Sequence, residues 1–256
     1  MRRAIGERSD QVLPNGPLDV IRQLSLFAIA YLGYEIVRGV VGINGPRPFS
    51  DADRIIGFER ALHVFTEPQI QAWATRQARW LLDIADWTYL NAHFALTAAA
   101  LVFIYLRRND SFYFVRNMFM VAMLIALVGY CVYPAAPPRL MPQWGFSDPV
   151  RQFTGVDAEQ GAAGLLLNPY AAVPSMHVCF ALMIATAMSR LVRRPVARVL
   201  WRIYPLSIVF VVVVTGNHYF TDVALGALTA AVSAALAEQL LARARPHAWA
   251  FAGVPA

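Results

Sequence analysis

The chain alternates between long apolar runs and short polar stretches. A transmembrane helix needs about 20 mostly apolar residues to cross the hydrocarbon core of a bilayer. Six runs come close to or reach that length, and they cover residues 18–41, 87–106, 112–133, 175–191, 199–215 and 219–241. The pattern therefore predicts an all-α polytopic membrane protein with six transmembrane helices.

A different pattern occupies the long loop after the first run. Apolar residues recur at three- and four-residue spacing over residues 55–65 and again over 70–81. Between them, Thr66 and Pro68 are typical of the start of a helix. This predicts two short amphipathic helices within 55–81, which either lie in the outer membrane interface or pack over the mouth of the helix bundle.

The runs and loops indicate one membrane domain and no soluble domain. We expect this domain over residues 18–241, with an outer loop at 134–174. A cytoplasmic N-terminal segment, 1–17, precedes it, and a cytoplasmic tail, 242–256, follows it.

The composition supports a membrane protein. Hydrophobic residues make up 58% of the chain and charged residues 15%, which excludes an ordinary soluble domain. The net charge of +6 comes from 22 basic residues, all of them arginine. Their positions fit membrane topology better than nucleic-acid binding. Cys131 and Cys179 lie in apolar runs without CxxC spacing, so we interpret both as packing residues.

Arginines mark every second connecting segment. They cluster in the N-terminal segment, near residues 107–116, near 190–198 and in the tail. Short arginine-rich loops stay in the cytoplasm, so the pattern predicts both termini inside and a plasma (cytoplasmic) membrane location. The loop at 42–86 also holds arginines, but its length and its acidic residues weaken their influence.

Two polar motifs stand beside the predicted outer ends of the helices. In GNHYFTD, residues 216–222, His218 and Asp222 are four residues apart at the start of the sixth run. That spacing places both side chains on one helix face. A carboxylate there can hold the proton of one ring nitrogen and leave the other as a nucleophile or base.

The second motif is VPSMH, residues 173–177. Pro174 and Ser175 fit the start of the fourth run, with Ser175 as the cap, and the free N–H groups of such a helix end bind anions. His177 lies one or two residues inside that helix. The segment YPAAPPRL, residues 133–140, ends the third run on the same side and supplies Arg139, whose planar guanidinium suits phosphate.

VPSMH and GNHYFTD resemble the second and third signature motifs of the type 2 phosphatidic acid phosphatase (PAP2) superfamily. Together with PAAPPR, they are more similar to its branch of inositol phosphorylceramide synthases. The resemblance implies that His218 is a nucleophile that forms a phosphohistidine and that Asp222 orients it. It also implies that His177 protonates the leaving oxygen and that no metal or other cofactor is required.

The chain departs from the commoner phosphatase pattern of that superfamily. It has no lysine, Met176 replaces a glycine, and Val212 stands where an arginine is usual. The phosphate site must therefore differ from the usual one. We expect Arg139 to supply the positive charge, with Ser175, Asn217 and backbone amides as lesser partners and Arg151 as a reserve.

Other roles are possible for the polar residues. Two histidines and a carboxylate also bind iron or zinc, although a neighbouring arginine would repel a cation. Ionisable groups at one depth in a membrane nevertheless favour a catalytic role. We interpret His93, within the second run, as structural or pore-lining, and Asp83 and Asp86 as solvated charges at the membrane boundary.

We therefore expect a lipid-phosphate phosphatase or phosphotransferase that works through a phosphohistidine at the outer leaflet. Its partners would be a phosphorylated lipid, the bilayer and, for transfer, an alcohol or polyol acceptor, with no nucleic acid. One alternative is a transferase like inositol phosphorylceramide synthase, which moves a phospho-head group between a lipid and an alcohol. Another is a non-catalytic lipid-binding or transport protein that keeps only the scaffold.

Overall fold

A computed structural model describes residues 13–41, 46–155 and 170–252. The predictions that fall on residues 1–12, 42–45, 156–169 and 253–256 lie outside this description. They include the N-terminal arginines and much of the outer loop at 134–174.

The described residues are helical, with irregular connections. We number the α-helices α1 (Gly16–Val41), α2 (Arg47–Ala61), α3 (Glu67–Gln77), α4 (Arg79–Trp87), α5 (His93–Arg107), α6 (Asn109–Val132), α7 (Pro149–Thr154), α8 (Met176–Leu191), α9 (Pro195–Val214), α10 (Phe220–Leu236) and α11 (Pro246–Trp249). Two π-helical segments, Thr88–Ala92 and Ala237–Ala242, continue α4 into α5 and extend α10. The expectation of an all-α protein is confirmed.

Four helices in the described parts of the chain are long and apolar enough to cross a membrane: Arg79–Arg107, Asn109–Val132, Pro195–Val214 and Phe220–Ala242. The apolar helix α8 is shorter. Apolar side chains also cover outward faces, as at Leu124, Val128 and Val132, which follow one another at four-residue spacing on α6 and are all exposed. Such a stripe suits contact with lipid.

Helix α8 lies at the centre of the fold. It packs against α9 and α10, and also against α5 and α6. Most of its side chains, among them Cys179, Met183 and Ile184, are buried. Because four helices pack against it, α8 determines how the start of α8, with VPSMH, and the start of α10, with GNHYFTD, lie relative to each other.

The long loop after the first apolar run differs in detail from the sequence prediction. Helix α2 begins at Arg47, before residue 55, and the second predicted helix is split at Ala78. Trp80 therefore belongs to α4, which continues into a long apolar helix. Thr66 does occupy the N-cap position of α3, but its side chain makes no capping bond.

The prediction for Asp86 was wrong. Its side chain is fully buried, and neither carboxylate oxygen has a hydrogen-bond partner among the described residues. In the sequence, Asp86 stands at the polar end of an apolar run, which suggests exposure to solvent. In the structure, the helix continues past Asp86, and α7 packs against α4. Asp83 agrees with the prediction, because it is exposed and pairs with Arg79. Cys131 and Cys179 are both free thiols.

Gly226 allows α10 to approach the start of α8. A Cβ atom at this position would lie 2.4 Å from the carbonyl oxygen of Ser175, closer than real Cβ atoms come. Any side chain would therefore separate the two helix starts. The close approach of α10 to the start of α8 therefore depends on a glycine at this position.

We expect Gly226→Ala to destabilise the protein by about 1–3 kcal/mol, because the added methyl group has no space beside Ser175. Gly57→Ala on α2 is the matched control, since nothing lies within 4 Å of a Cβ atom there. Thermal unfolding of both variants in detergent measures the difference. Equal midpoints for the two variants would contradict this account of the helix contact.

Candidate functional site

His218 follows a tight turn at the end of α9. Gly216 has a φ of 67°, the left-handed conformation that favours glycine. The N–H of Asn217 donates to the carbonyl of Val212, and the N–H of Gly216 donates to that of Val213. These bonds form a Schellman cap, which ends one helix and directs the chain into the next. The turn therefore sets the position of His218 before α10 begins.

His218 and Asp222 meet, although not as the sequence predicted. His218 precedes the N-cap Tyr219, so the two residues do not share a helix face. Asp222 instead reaches back from the first turn of α10. Its Oδ2 accepts the backbone N–H of Tyr219 at 3.0 Å and lies 3.4 Å from Nδ1 of His218. With the Nδ1 proton held there, Nε2 of His218 keeps a free lone pair.

The start of α8 brings His177 to the same place. Ser175 is the N-cap, as predicted, and its Oγ accepts the N–H of Val178. Its own N–H donates to the backbone carbonyl of Asp222 at 3.1 Å, which ties the start of α8 to α10. His177 is the second residue of α8, and its ring centroid lies 6.0 Å from that of His218.

Aromatic rings from the α4–α5 segment surround His177. Tyr89 stacks on it with a centroid distance of 4.2 Å, and Phe94 meets it edge-on at 5.1 Å. The ring of His93 lies 5.0 Å away. The sequence predicts a structural or pore-lining role for His93 and leaves open whether it reaches the site, and the structure brings its ring beside that of His177. The only sequence signal was a polar residue inside an apolar run.

Arg139 lies beside the turn that precedes His218. Its backbone N–H donates to the carbonyl of Gly216 at 2.7 Å, and its Nε donates to Oδ1 of Asn217 at 3.2 Å. Its Nη1 pairs with Asp148 at 3.0 Å. The sequence prediction did not include Asp148, which also caps α7 by accepting the N–H of Arg151. Asn217 therefore holds the arginine in place, while Asp148 balances part of its charge.

Three further residues predicted for the phosphate site are Ser175, Asn217 and Arg151. Ser175 is fully buried, and Asn217 is 5% exposed, so the first serves as a helix cap and the second as a support for Arg139. Arg151 is exposed on α7. Two of the three departures from the family pattern are side chains in the core. Met176 packs in the apolar cluster around α6 and α8. Val212 packs in the apolar cluster between α8 and α9.

Two buried glutamates from the loop region cap α10. Glu59 accepts the backbone N–H of Thr221 at 2.7 Å, and Glu67 accepts that of Phe220 at 3.0 Å. Both side chains are almost fully buried. Burial and the neighbouring Glu59 carboxyl raise the pKa of Glu67 from 4.5 to about 8. These acids bind α2 and α3 to α10, the helix that follows His218, and a sequence pattern of local spacing could not reveal them.

The site therefore combines a carboxylate-oriented histidine, a second histidine at a helix start, and a guanidinium. The described residues contain no group of three or more His, Cys, Asp or Glu side chains arranged to hold a metal ion. Nucleophilic attack by one imidazole and proton donation by the other is the chemistry that the arrangement supports best.

Comparisons with known proteins give a family match. Residues 53–236, more than half of the chain, match a family model described as the PAP2 superfamily. The matched part runs from α2 to the end of α10 and contains both histidine motifs. Neither the curated proteins nor the solved structures that were compared with the chain gave a match.

The raised pKa of Glu67 predicts a pH-dependent stability. The folded state keeps a proton on this group up to about pH 8, whereas the unfolded chain loses it near pH 4.5. Between these values the folded state binds more protons, so the free energy of unfolding falls as the pH rises. One group contributes a slope of at most about 1.4 kcal/mol per pH unit.

We expect Glu67→Gln to flatten this slope, because a neutral amide can still accept the N–H of Phe220. Thermal unfolding midpoints from pH 5 to pH 8.5 measure the effect. Glu238→Gln, at an exposed position, should keep the wild-type slope. A Glu67→Gln slope equal to that of the wild type would contradict the assignment.

Proposed function

Because the chain belongs to the PAP2 superfamily, we propose that it is a membrane enzyme that removes or transfers the phosphoryl group of a lipid phosphate. The observation that carries the proposal is the meeting of two helix starts, where Asp222 orients His218 and His177 lies beside it. A protein that only binds or transports lipids does not require two imidazole rings in this orientation. The arrangement instead fits nucleophilic catalysis followed by proton transfer.

In the first half of the reaction, Nε2 of His218 attacks phosphorus, and the bond between phosphorus and the leaving oxygen breaks. Asp222 holds the Nδ1 proton and stabilises the positive charge that forms on the ring. His177 gives its proton to the departing alcohol or phosphate oxygen. The product of this half is a phosphohistidine at His218 and a neutral His177.

In the second half, water or an acceptor alcohol attacks the phosphohistidine. His177, now neutral, accepts the proton of the attacking hydroxyl, and His218 leaves as an imidazole. Both residues thus return to their starting states. Hydrolysis and transfer differ only in the molecule that attacks.

Arg139 is the positive group that we assign to the phosphoryl oxygens. It packs against the turn before His218 and contacts Asn217 and Asp148, so its position is set before a substrate arrives. The first-turn N–H groups of α8 add partial positive charge on the side of His177. Ser175 contributes by capping that helix, and Asn217 by holding the arginine.

The substrate class follows from the membrane setting. A phosphorylated lipid would present its head group at the end of the bundle where the two motifs meet. We propose six membrane-crossing helices, with α1 and α8 completing the four long ones, and both termini in the cytoplasm. The alternation of arginine-rich segments supports this orientation, which places the site at the outer leaflet of the plasma (cytoplasmic) membrane.

Hydrolysis is our first choice, because water needs no second binding pocket. A transferase like inositol phosphorylceramide synthase is the alternative, since PAAPPR supplies Arg139 and the usual lysine is absent. Such an enzyme would use an alcohol or polyol acceptor. A non-catalytic lipid-binding or transport protein is the remaining alternative, and it makes the histidines dispensable.

The proposal is tested with purified protein and labelled lipid phosphates: phosphatidic acid, a polyprenyl diphosphate and a phosphoinositol lipid. We expect phosphate release, or head-group transfer when a polyol is added. We also expect an acid-labile, base-stable label on the protein that His218→Ala abolishes. Background turnover with all three lipids, or unchanged turnover in His218→Ala, would reject a phosphohistidine enzyme.

Arg139→Gln should lower turnover by about 100-fold, because it removes a charged donor from the developing negative charge. Arg54→Gln is the matched control, since Arg54 is an exposed arginine of the same region on α2. Steady-state rates with the best lipid substrate measure both variants. Near-normal turnover in Arg139→Gln would remove Arg139 from the site.

A further inference from the structure

The segment that joins α4 to α5 presents His93 to His177. Residues Thr88–Ala92 form a π-helical turn, and the N–H of His93 donates to the carbonyl of Thr88, five residues back. Isolated π turns in α-helices occur frequently at functional sites. Here the turn places Tyr89 and then His93 and Phe94 against the ring of His177.

The orientation of His93 is itself fixed. Its Nδ1 lies 2.8 Å from the hydroxyl of Tyr204 on α9, and the two rings stack with an interplanar angle of 15°. The side chain is 1% exposed. The ring thus bridges α9 and the aromatic surroundings of His177.

The second ring nitrogen of His93 has no evident structural purpose. Nε2 is buried and has no hydrogen-bond partner among the described residues. A buried polar atom without a partner costs about 1–3 kcal/mol. The bond to Tyr204 uses only Nδ1, so it does not account for the buried second nitrogen.

We propose that His93 is a positioning residue that keeps the ring of His177 directed at the leaving oxygen. The inference rests on the proposed function, in which His177 is the general acid. Tyr204 fixes His93, and His93 with Tyr89 and Phe94 restricts the rotation of His177 beside His218. Proton transfer depends steeply on such orientation, so loosening the ring reduces acid catalysis before it affects nucleophilic attack.

This role predicts a dependence on the leaving group. An alkyl phosphate must receive a proton as its alcohol departs, whereas p-nitrophenyl phosphate releases a stable anion without one. We expect His93→Leu to lower kcat/KM by about 10-fold or more for a short-chain alkyl phosphate. For p-nitrophenyl phosphate we expect a change within about threefold.

Two further variants complete the experiment. Tyr204→Phe should shift the ratio of the two kcat/KM values in the same direction but by less, because His93 stays in place without its hydrogen bond. Phe103→Leu, an exposed position further along α5, should leave both values unchanged. If His93→Leu does not fold, Tyr204→Phe alone decides the question.

Equal losses with both substrates, or no loss with either, would overturn the role of His93. An active wild type whose turnover is lost in His218→Ala separates this outcome from failure of the proposed function. If the wild type is inactive with both phosphates and with the lipids, the proposed function fails instead.

Discussion

The structure depends on how Asp222 joins the two helix starts. Its backbone carbonyl accepts the N–H of Ser175, and its carboxylate accepts the N–H of Tyr219 and faces Nδ1 of His218. One residue thus caps α10, fixes α8 and orients His218, the nucleophile in the proposed function. This geometry requires the helices to be in contact, and Gly226 alone leaves the space. Packing and chemistry therefore constrain the same few residues.

The two helix starts differ in what satisfies their N–H groups. Side-chain carboxyl groups of Asp222, Glu67 and Glu59 already accept the N–H groups at the start of α10. The start of α8 has only the hydroxyl of Ser175 as a side-chain cap, at 3.5 Å from the N–H of Val178. The N–H groups at the start of α10 are thus already bonded to acidic side chains, so an incoming anion is better accommodated at the start of α8. In the proposed function, this asymmetry favours a phosphate on the side of His177, which protonates the leaving oxygen.

Local spacing in the sequence predicted the helical runs, the cap at Ser175 and the meeting of His218 with Asp222, because each depends on residues close along the chain. The reason given for the last was incorrect, since His218 precedes the helix and a capping interaction brings the two together. Contacts across large separations were missed. Glu59, Glu67, Asp148 and the burial of Asp86 depend on helix packing, which periodicity does not encode. Whether His93 lies beside His177 could not be predicted, because a π turn leaves no local signature in an apolar run.

The balance of charge around Arg139 bears on how tightly a phosphate binds. The chain has no lysine, and Met176 and Val212, at the positions of two departures from the family pattern, face the core. They therefore leave no second cation beside the histidines, and Arg139 already shares its guanidinium with Asp148 at 3.0 Å. Under the proposed function, a substrate phosphate competes with that carboxylate for the guanidinium of Arg139, which lowers ground-state affinity. Charge that develops in the transition state strengthens the contact with Arg139, so a preorganised but partly neutralised arginine favours turnover over tight substrate binding.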